Sequence, residues 1–185
     1  MKRTFKEVNM VDVRIDGGTQ SRVEIDPHWI SQIVDNMKHD VVYPAVECRF
    51  DGTYYWLSDG FHRYHAHIQL SVKTIKIAYL PGTVADARRD SYSANSSHGK
   101  PRSQADKRKC VMSALADPDI QDKSNREIAR ICAVSHTFVN QIKNDEAKKQ
   151  QKEAKTREST DEKPAKVETF PPEQTSEAPA AEQPI

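Results

Sequence analysis

The 185-residue chain lacks most of what marks a membrane or secreted protein. No run approaches the roughly 18 consecutive apolar residues needed to cross a bilayer, and the opening MKRTFKEVNMVDVRI has neither the apolar centre nor the small-residue cleavage site of a secretory leader. These absences make the cytoplasm the expected compartment and exclude a membrane partner. Cysteine is scarce and odd in number: Cys48, Cys110 and Cys132 lie far apart and form no C-x-x-C pair, which argues against a disulfide framework or a zinc ribbon. Hydrophobic residues reach only 36% against 30% charged, enough for one domain or two small ones sharing a core. No internal repeat is visible.

What is present is unevenly distributed. Residues 1–99 carry 12 basic and 12 acidic side chains, residues 100–155 carry 13 and 8, and residues 156–185 carry 3 and 7, although the whole chain nets only +1. A neutral body, a basic module and an acidic tail suit a protein that meets nucleic acid through its middle. The tail, TRESTDEKPAKVETFPPEQTSEAPAAEQPI, is rich in Pro, Glu, Ser and Thr and cannot bury enough surface to offset chain entropy. It is expected to be disordered, and its partner is unknown.

Hydrophobic spacing in the body alternates between sheet and helix. VDVRI reads as a strand. In IDPHWISQIVDNMKHD, Asp26 stands as N-cap, Pro27 at the first helical position, and Trp29, Ile30, Ile33, Val34 and Met37 share one face, which predicts a helix. AVECRF and YYWLS flank Asp51-Gly52-Thr53 as a hairpin. A second helix is expected over 61–70, a further strand over TIKIAYL, then helices over TVADARRDSYSANSSHG and SQADKRKCVMSALAD, followed by two short ones.

Those last two carry the most specific local signal. In SNREIARICAVSHTFVNQIKN, Ser124 and Glu127 form a capping box, Ile128, Ala129 and Cys132 give an inner face, and Ser135 caps a second helix with Phe138, Val139 and Ile142 inward. Two short helices joined by a tight turn resemble a DNA-binding helix-turn-helix, with Ala133 where that family often has Gly. On that reading His136, Thr137, Asn140 and Gln141 meet base edges of double-stranded DNA, and Arg126, Ser135 and Lys143 reach phosphates. An ordinary helical hairpin with a solvated polar face is the alternative. One small module binds weakly alone, so a homodimer or higher assembly on DNA is expected.

The stretch LSDGFHRYHAH joins a strand to a helix with unusual chemistry at the joint. Gly60 lets the backbone turn and approach a ligand, the N–H groups of Phe61, His62 and Arg63 point outward at a helix start, and Arg63 adds a fork-shaped donor, which together make an anion site. Asp59, His62 and His65 are also candidate acid or base groups. His62 and His65 share a helix face, but no carboxylate or Cys stands at ligand spacing, so no metal site is assigned.

TQSR at 19–22, DGFHRYHA at 59–66 and Ala94-Asn95, in that order and followed by a helix-turn-helix, resemble the N-terminal and central regions of ParB partition proteins within the ParB/sulfiredoxin superfamily. The resemblance spans about residues 8–145. It implies a pocket for CTP or another nucleoside triphosphate with magnesium. Gln20 and Arg22 match the first box, Gly60, Arg63 and Ala66 match the second with Phe61 and His62 replacing Glu and Arg, and Asn95 matches the third with Ala94 replacing Glu. A lost carboxylate makes hydrolysis less expected than binding. His62-Arg63 is also similar to the sulfiredoxin motif, but Phe61 stands where that family has its nucleophilic Cys, and a benzyl group offers no nucleophile.

The expected architecture is α+β: a small mixed α/β domain of ParB/sulfiredoxin type over 1–99, an all-α helix-turn-helix region over 100–155 and a disordered acidic tail over 156–185. The expected function is nucleotide-responsive DNA binding in plasmid, phage or chromosome maintenance or in regulation, with triphosphate and DNA each favouring one arrangement of the helices between Val84 and Leu115. A phosphotransferase or nuclease, and a plain helix-turn-helix regulator, remain open.

Overall fold

Asp26 and Pro27 start the first helix in the way their chemistry requires. In the computed structural model, which describes residues 2–94 and 100–161, the Asp26 carboxylate accepts hydrogen bonds from the N–H groups of His28 (2.9 Å) and Trp29 (3.2 Å), and Pro27 opens helix α1, Pro27–Lys38. The hairpin forms where expected, between β3 (Val46–Phe50) and β4 (Tyr55–Asp59). Gly52 takes φ +103°, and Asp51 closes the turn by accepting from Thr53 and Tyr54 N–H, both at 2.8 Å.

Five strands form one mixed sheet in the order β1-β5-β3-β4-β2, with β1 at Thr4–Asn9, β2 at Val13–Arg14 and β5 at Thr74–Pro81. β1 pairs antiparallel with β5, which runs parallel to β3, and β2 pairs parallel with β4. Two elements here depart from expectation. The strand expected over VDVRI shrinks to Val13–Arg14, because Met10–Asp12 form a 3-10 turn that leaves Val11 80% exposed. The strand ahead of it, β1, was not foreseen: it is a sheet edge in which only Val8 is buried, so it shows no hydrophobic alternation.

Helix α2 (Phe61–Gln69) is the centre of the body. Phe61 and Tyr64 pack into the sheet core with Val46, Leu57, Ile75 and Ile77, while Ala66 on another side meets Ile33 and Val34 of α1. Helix α3 (Val84–Ser93), capped by Thr83 and Asp86, is held to β3 by a forked Arg49–Asp90 pair (2.6 and 2.9 Å). It ends at Ser93. The continuation expected through Gly99 falls on 95–99, outside the described residues.

The second core is helical. Tyr92 of α3, Cys110, Val111 and Ala114 of α4 (Gln104–Leu115), Ile128, Ala129 and Cys132 of α5 (Asn125–Cys132), and Val139 and Ile142 of α6 (His136–Asp161) cluster in it. All three cysteines are free and buried. The Ser124–Glu127 capping box is present, with Ser124 Oγ accepting from Glu127 N–H at 3.3 Å. The last helix is not short: it runs to Asp161, so residues 156–161, expected to be disordered, are helical. The run DEAKKQQKEAK is made almost entirely of good helix formers, and no Pro or Gly interrupts it. Residues 162–185 lie outside the described residues. Among the described residues no helix is long and apolar enough to cross a membrane.

Ala133, between α5 and α6, adopts φ +49°, ψ +55°. An L-residue with a Cβ pays about 1–2 kcal/mol there, and glycine gives back part of the gain through its freer unfolded chain. Ala133→Gly is expected to stabilise the fold by about 1 kcal/mol and raise the melting temperature by about 2–4 °C. A lower melting temperature in a thermal scan would show that the turn gains nothing from glycine.

Candidate functional site

Residues from separate stretches of the chain converge at the N-terminus of α2. A cavity of about 400 Å³ is lined by Gln20, Arg22, Asp59, Gly60, Phe61, His62 and Arg63, seven of the eight residues expected to hold a nucleotide. The eighth, Asn95, lies outside the described residues. The cavity also takes in Trp29, Tyr43, Glu47 and Lys100, which sequence reasoning missed. By its spacing Trp29 belongs to a core-facing helical stripe, but an aromatic ring at the edge of such a stripe can also wall a pocket.

Gly60 has φ +96° and no side chain to cap the helix, so the first N–H groups of α2 have no capping side chain to satisfy them. A Cβ at Gly60 would fall 2.8 Å from Val46 Cγ1 and 2.8 Å from Arg63 Nη2. The backbone therefore approaches its surroundings as closely as glycine alone permits.

The two arginines are placed differently from the expectation that they would point at phosphate. Arg63 spends its guanidinium inside the protein, donating to the carbonyls of Pro44 (2.6 Å) and Ala45 (2.9 Å) and to Asp59 Oδ2 (3.0 Å). Arg22 is 5% exposed and turns toward α4, pairing with buried Asp106 at 3.4 Å and donating to the carbonyls of Pro101 (3.3 Å) and Lys100. Both line the cavity while holding its walls together. Sequence alone could not show this, because the partners lie up to 84 positions away.

Gln20 is the group most nearly poised for a ligand. Its Oε1 accepts from Arg22 N–H at 2.8 Å, and its Nε2 is buried with no hydrogen-bond partner. A buried donor without an acceptor costs about 1–3 kcal/mol, and an oxygen-rich ligand in the cavity is one way to recover it.

His62 is held neutral. Its Nε2 accepts from Asp26 N–H at 3.2 Å, and burial, followed by the nearby Arg22 and Lys100 charges, pushes its pKa down to about 4. Because the folded value lies below the unfolded one near 6.5, its contribution to stability is complete above that value and is lost as pH falls toward about 4. The melting temperature should therefore drop across that window in the native protein and drop less in His62→Gln; parallel curves would show that another group titrates. His65 is also pushed down by burial, and His67 Nδ1 lies 2.7 Å from the Arg63 carbonyl. Asp26, bridged to the Lys100 ammonium, has its pKa lowered to about 2 by that contact first and by its cap bonds second.

Magnesium fits this cavity only as a companion of phosphate. Asp59 is paired with Arg63 and Glu47 with Arg3, and among the described residues no cluster of three or more His, Cys, Asp or Glu converges. Phosphate oxygens and water would supply most of the ligands such a cation favours.

The second candidate face is on α5 and α6. Arg126, Ser135, His136, Thr137, Asn140 and Gln141 are exposed and Lys143 is half-buried. Ser135 is a cap, accepting from Phe138 N–H at 3.2 Å and contacting the Thr137 hydroxyl at 3.0 Å. Asn140 Oδ1 accepts from Asn125 Nδ2, so reading adenine with both amide groups requires that contact to open.

The geometry defines a mixed α/β body with a cavity at a strand-to-helix joint, followed by a helix-turn-helix. Comparison with solved structures finds this fold in C-terminally truncated chromosome-partitioning protein ParB from Caulobacter crescentus complexed to the centromeric parS site, at TM-score 0.51 and 12% identity, covering 74% of this chain and 69% of that one. ParB from the same organism complexed with CTP-γ-S matches at 0.44 and 12%, covering 74% of each chain, and sulfiredoxin from Arabidopsis thaliana at 0.41 and 21%, covering 47% of this chain and 96% of that one. At these identities the likeness is one of fold. No family model matches the chain, and no curated protein matches its sequence.

Proposed function

We propose that the protein is a nucleotide-responsive DNA-binding protein of ParB type, acting in replicon maintenance or in regulation. The observation that carries this is the convergence of Gln20-Ser21-Arg22 and DGFHR on one cavity at an uncapped helix start. The N-terminal N–H groups of α2 and Lys100 suit the phosphates of CTP or another nucleoside triphosphate with magnesium. Gln20 Nε2 offers a donor, and Trp29 and Tyr43 offer flat apolar surface to a base. The helix-turn-helix presents an exposed polar face with Arg126 and Arg130 beside it. The ParB of shared fold is bound to parS, which supports double-stranded DNA as the partner. With one such module among the described residues, a homodimer or higher assembly on DNA completes the reading.

Titration calorimetry of the full chain against CTP, ATP, GTP and UTP with magnesium tests the cavity. Selective binding, weakened about tenfold in Gln20→Ala, is the expected result for one lost charge-assisted hydrogen bond. Arg63→Ala is a poor control because its guanidinium holds the Pro44–Ala45 segment. Fluorescence anisotropy on duplex DNA tests the other face: Arg126→Ala should lower the salt slope by about one. Absence of binding by every nucleotide, with DNA affinity intact, would leave a plain helix-turn-helix binder.

A further inference from the structure

The residues Lys100 to Ser103 touch the cavity at one end and the helix-turn-helix at the other. Lys100 lines the cavity, and its ammonium pairs with Asp26, the N-cap of α1. The carbonyls of Lys100 and Pro101 both accept from the buried Arg22 guanidinium. Arg102 turns the other way. Its Nη1 donates to the Tyr92 carbonyl in the last turn of α3 at 3.0 Å, and its Nη2 donates to the carbonyls of Cys132 and Ala133 at the end of α5, both at 3.0 Å. Ser103 then caps α4 in a box with Asp106, which also pairs with Arg22.

Three features make this short segment able to pass displacement along its length. Carbonyls at a helix C-terminus have no intrahelical partner, so a guanidinium there holds the α5 end by charge as well as by geometry. Pro101 has a fixed φ and takes up little of a movement that starts at Lys100. Asp26 keeps two backbone N–H donors when Lys100 leaves it, so an anion in the cavity can draw the ammonium away without leaving a bare carboxylate.

We propose that Lys100–Ser103 is a strap through which anion occupancy of the cavity sets the pose of the helix-turn-helix, with Lys100 as the group that meets the anion and Arg102 as the positioning residue for the turn at Ala133. This rests on the nucleotide reading of the cavity. A ligand shifts the pose only by its differential affinity for the two positions of Lys100. The amides that report the pose are those of Ala133 and Val134, which donate to Arg130 O (3.3 Å) and Ala129 O (3.0 Å).

Hydrogen exchange of the full chain with saturating CTP and magnesium reads both ends at once. The expected result is slower exchange over 61–64 together with a change over 133–136 in the native protein. In Arg102→Lys, at a position outside the cavity lining, the first effect persists and the second falls at least about threefold; Lys100→Gln binds CTP more weakly, and at its own saturating concentration the second effect falls as well. DNA affinity measured by anisotropy on a mixed-sequence duplex should change about fivefold or more with CTP in the native protein and become indifferent to it in both variants. Lysine keeps the charge of Arg102 without its forked donors, so Arg102→Lys removes geometry rather than folding; if it nevertheless unfolds, Arg102→Gln, which also lies outside the cavity lining, takes its place. Equal transmission in native and variant proteins would overturn the strap and leave the cavity reading standing. No protection over 61–64 in the native protein would overturn both.

Discussion

Gly60→Ala is expected to lower the melting temperature by about 5–15 °C and to abolish the nucleotide binding proposed for the cavity. Two costs add. The left-handed backbone at φ +96° charges an L-residue about 1–2 kcal/mol. A methyl group placed 2.8 Å from Val46 Cγ1 and from Arg63 Nη2 forces overpacking worth about 1–3 kcal/mol more. For a chain of this length each kcal/mol moves the midpoint by about 2–4 °C. The end of Arg63 can yield, but Val46 is 1% exposed and sits in the sheet core, so the joint itself must shift. Binding is lost because the same shift moves the first N–H groups of α2. A thermal scan with and without CTP checks both halves, and a variant within about 2 °C of the native protein would show that the joint is more pliant than this geometry implies.

Asp106→Ala should cost about 3–5 kcal/mol, because it leaves Arg22, 5% exposed, with no carboxylate partner in the interior. The carboxylate has further duties: it accepts from Val23 N–H at 2.8 Å and completes the Ser103 capping box by accepting from Ser103 N–H at 2.9 Å. Replacing both partners, as Arg22→Met with Asp106→Leu, should recover part of the loss, since an apolar pair avoids desolvating two charges. Burial raises the Asp106 pKa, yet the Val23 and Ser103 donors and the Arg22 charge outweigh it and hold the value below the ordinary aspartate range. A depressed carboxylate contributes fully above its unfolded value, near 3.9, and loses that contribution as pH falls through the folded one. Chemical denaturation at neutral pH measures the loss; no more than about 1 kcal/mol would mean that water reaches Arg22 in the variant.

Local rules carried some elements and failed at others for identifiable reasons. Asp26-Pro27, Asp51-Gly52 and Ser124 with Glu127 each bond within a few positions, so short stretches of sequence contain both partners. The positive φ of Gly60 was equally local. Strand β1 was invisible because an edge strand with one buried residue has no period to detect. The length of α6 was missed because its outer half shows helix propensity without an apolar face. The arginines are the most instructive case. Arg22 and Arg63 both line the cavity, yet their guanidinium groups face protein partners 84, 79, 78, 19, 18 and 4 residues away. The strand-to-helix joint at Gly60 is legible from local residues, and the place of Arg22 beside it is implied by the resemblance; which way a long side chain turns was decided by buried carbonyls and carboxylates that only the fold assembles. Arg102, whose partners belong to two other helices, had no local signal at all.

Trp29 and Tyr43 line the cavity, and Trp29 is one of just two tryptophans in the chain. The other, Trp56, is on the hairpin strand, its indole N–H bonded to Asp51 at 2.6 Å and its ring 5.8 Å from the Arg14 guanidinium. The protein thus carries an optical probe at the cavity and a second one tied to a rigid turn. Emission from Trp29 is expected to report filling of the cavity, with Trp56 as an internal reference, and Trp56→Phe would leave a single-fluorophore protein in which occupancy can be followed without any label.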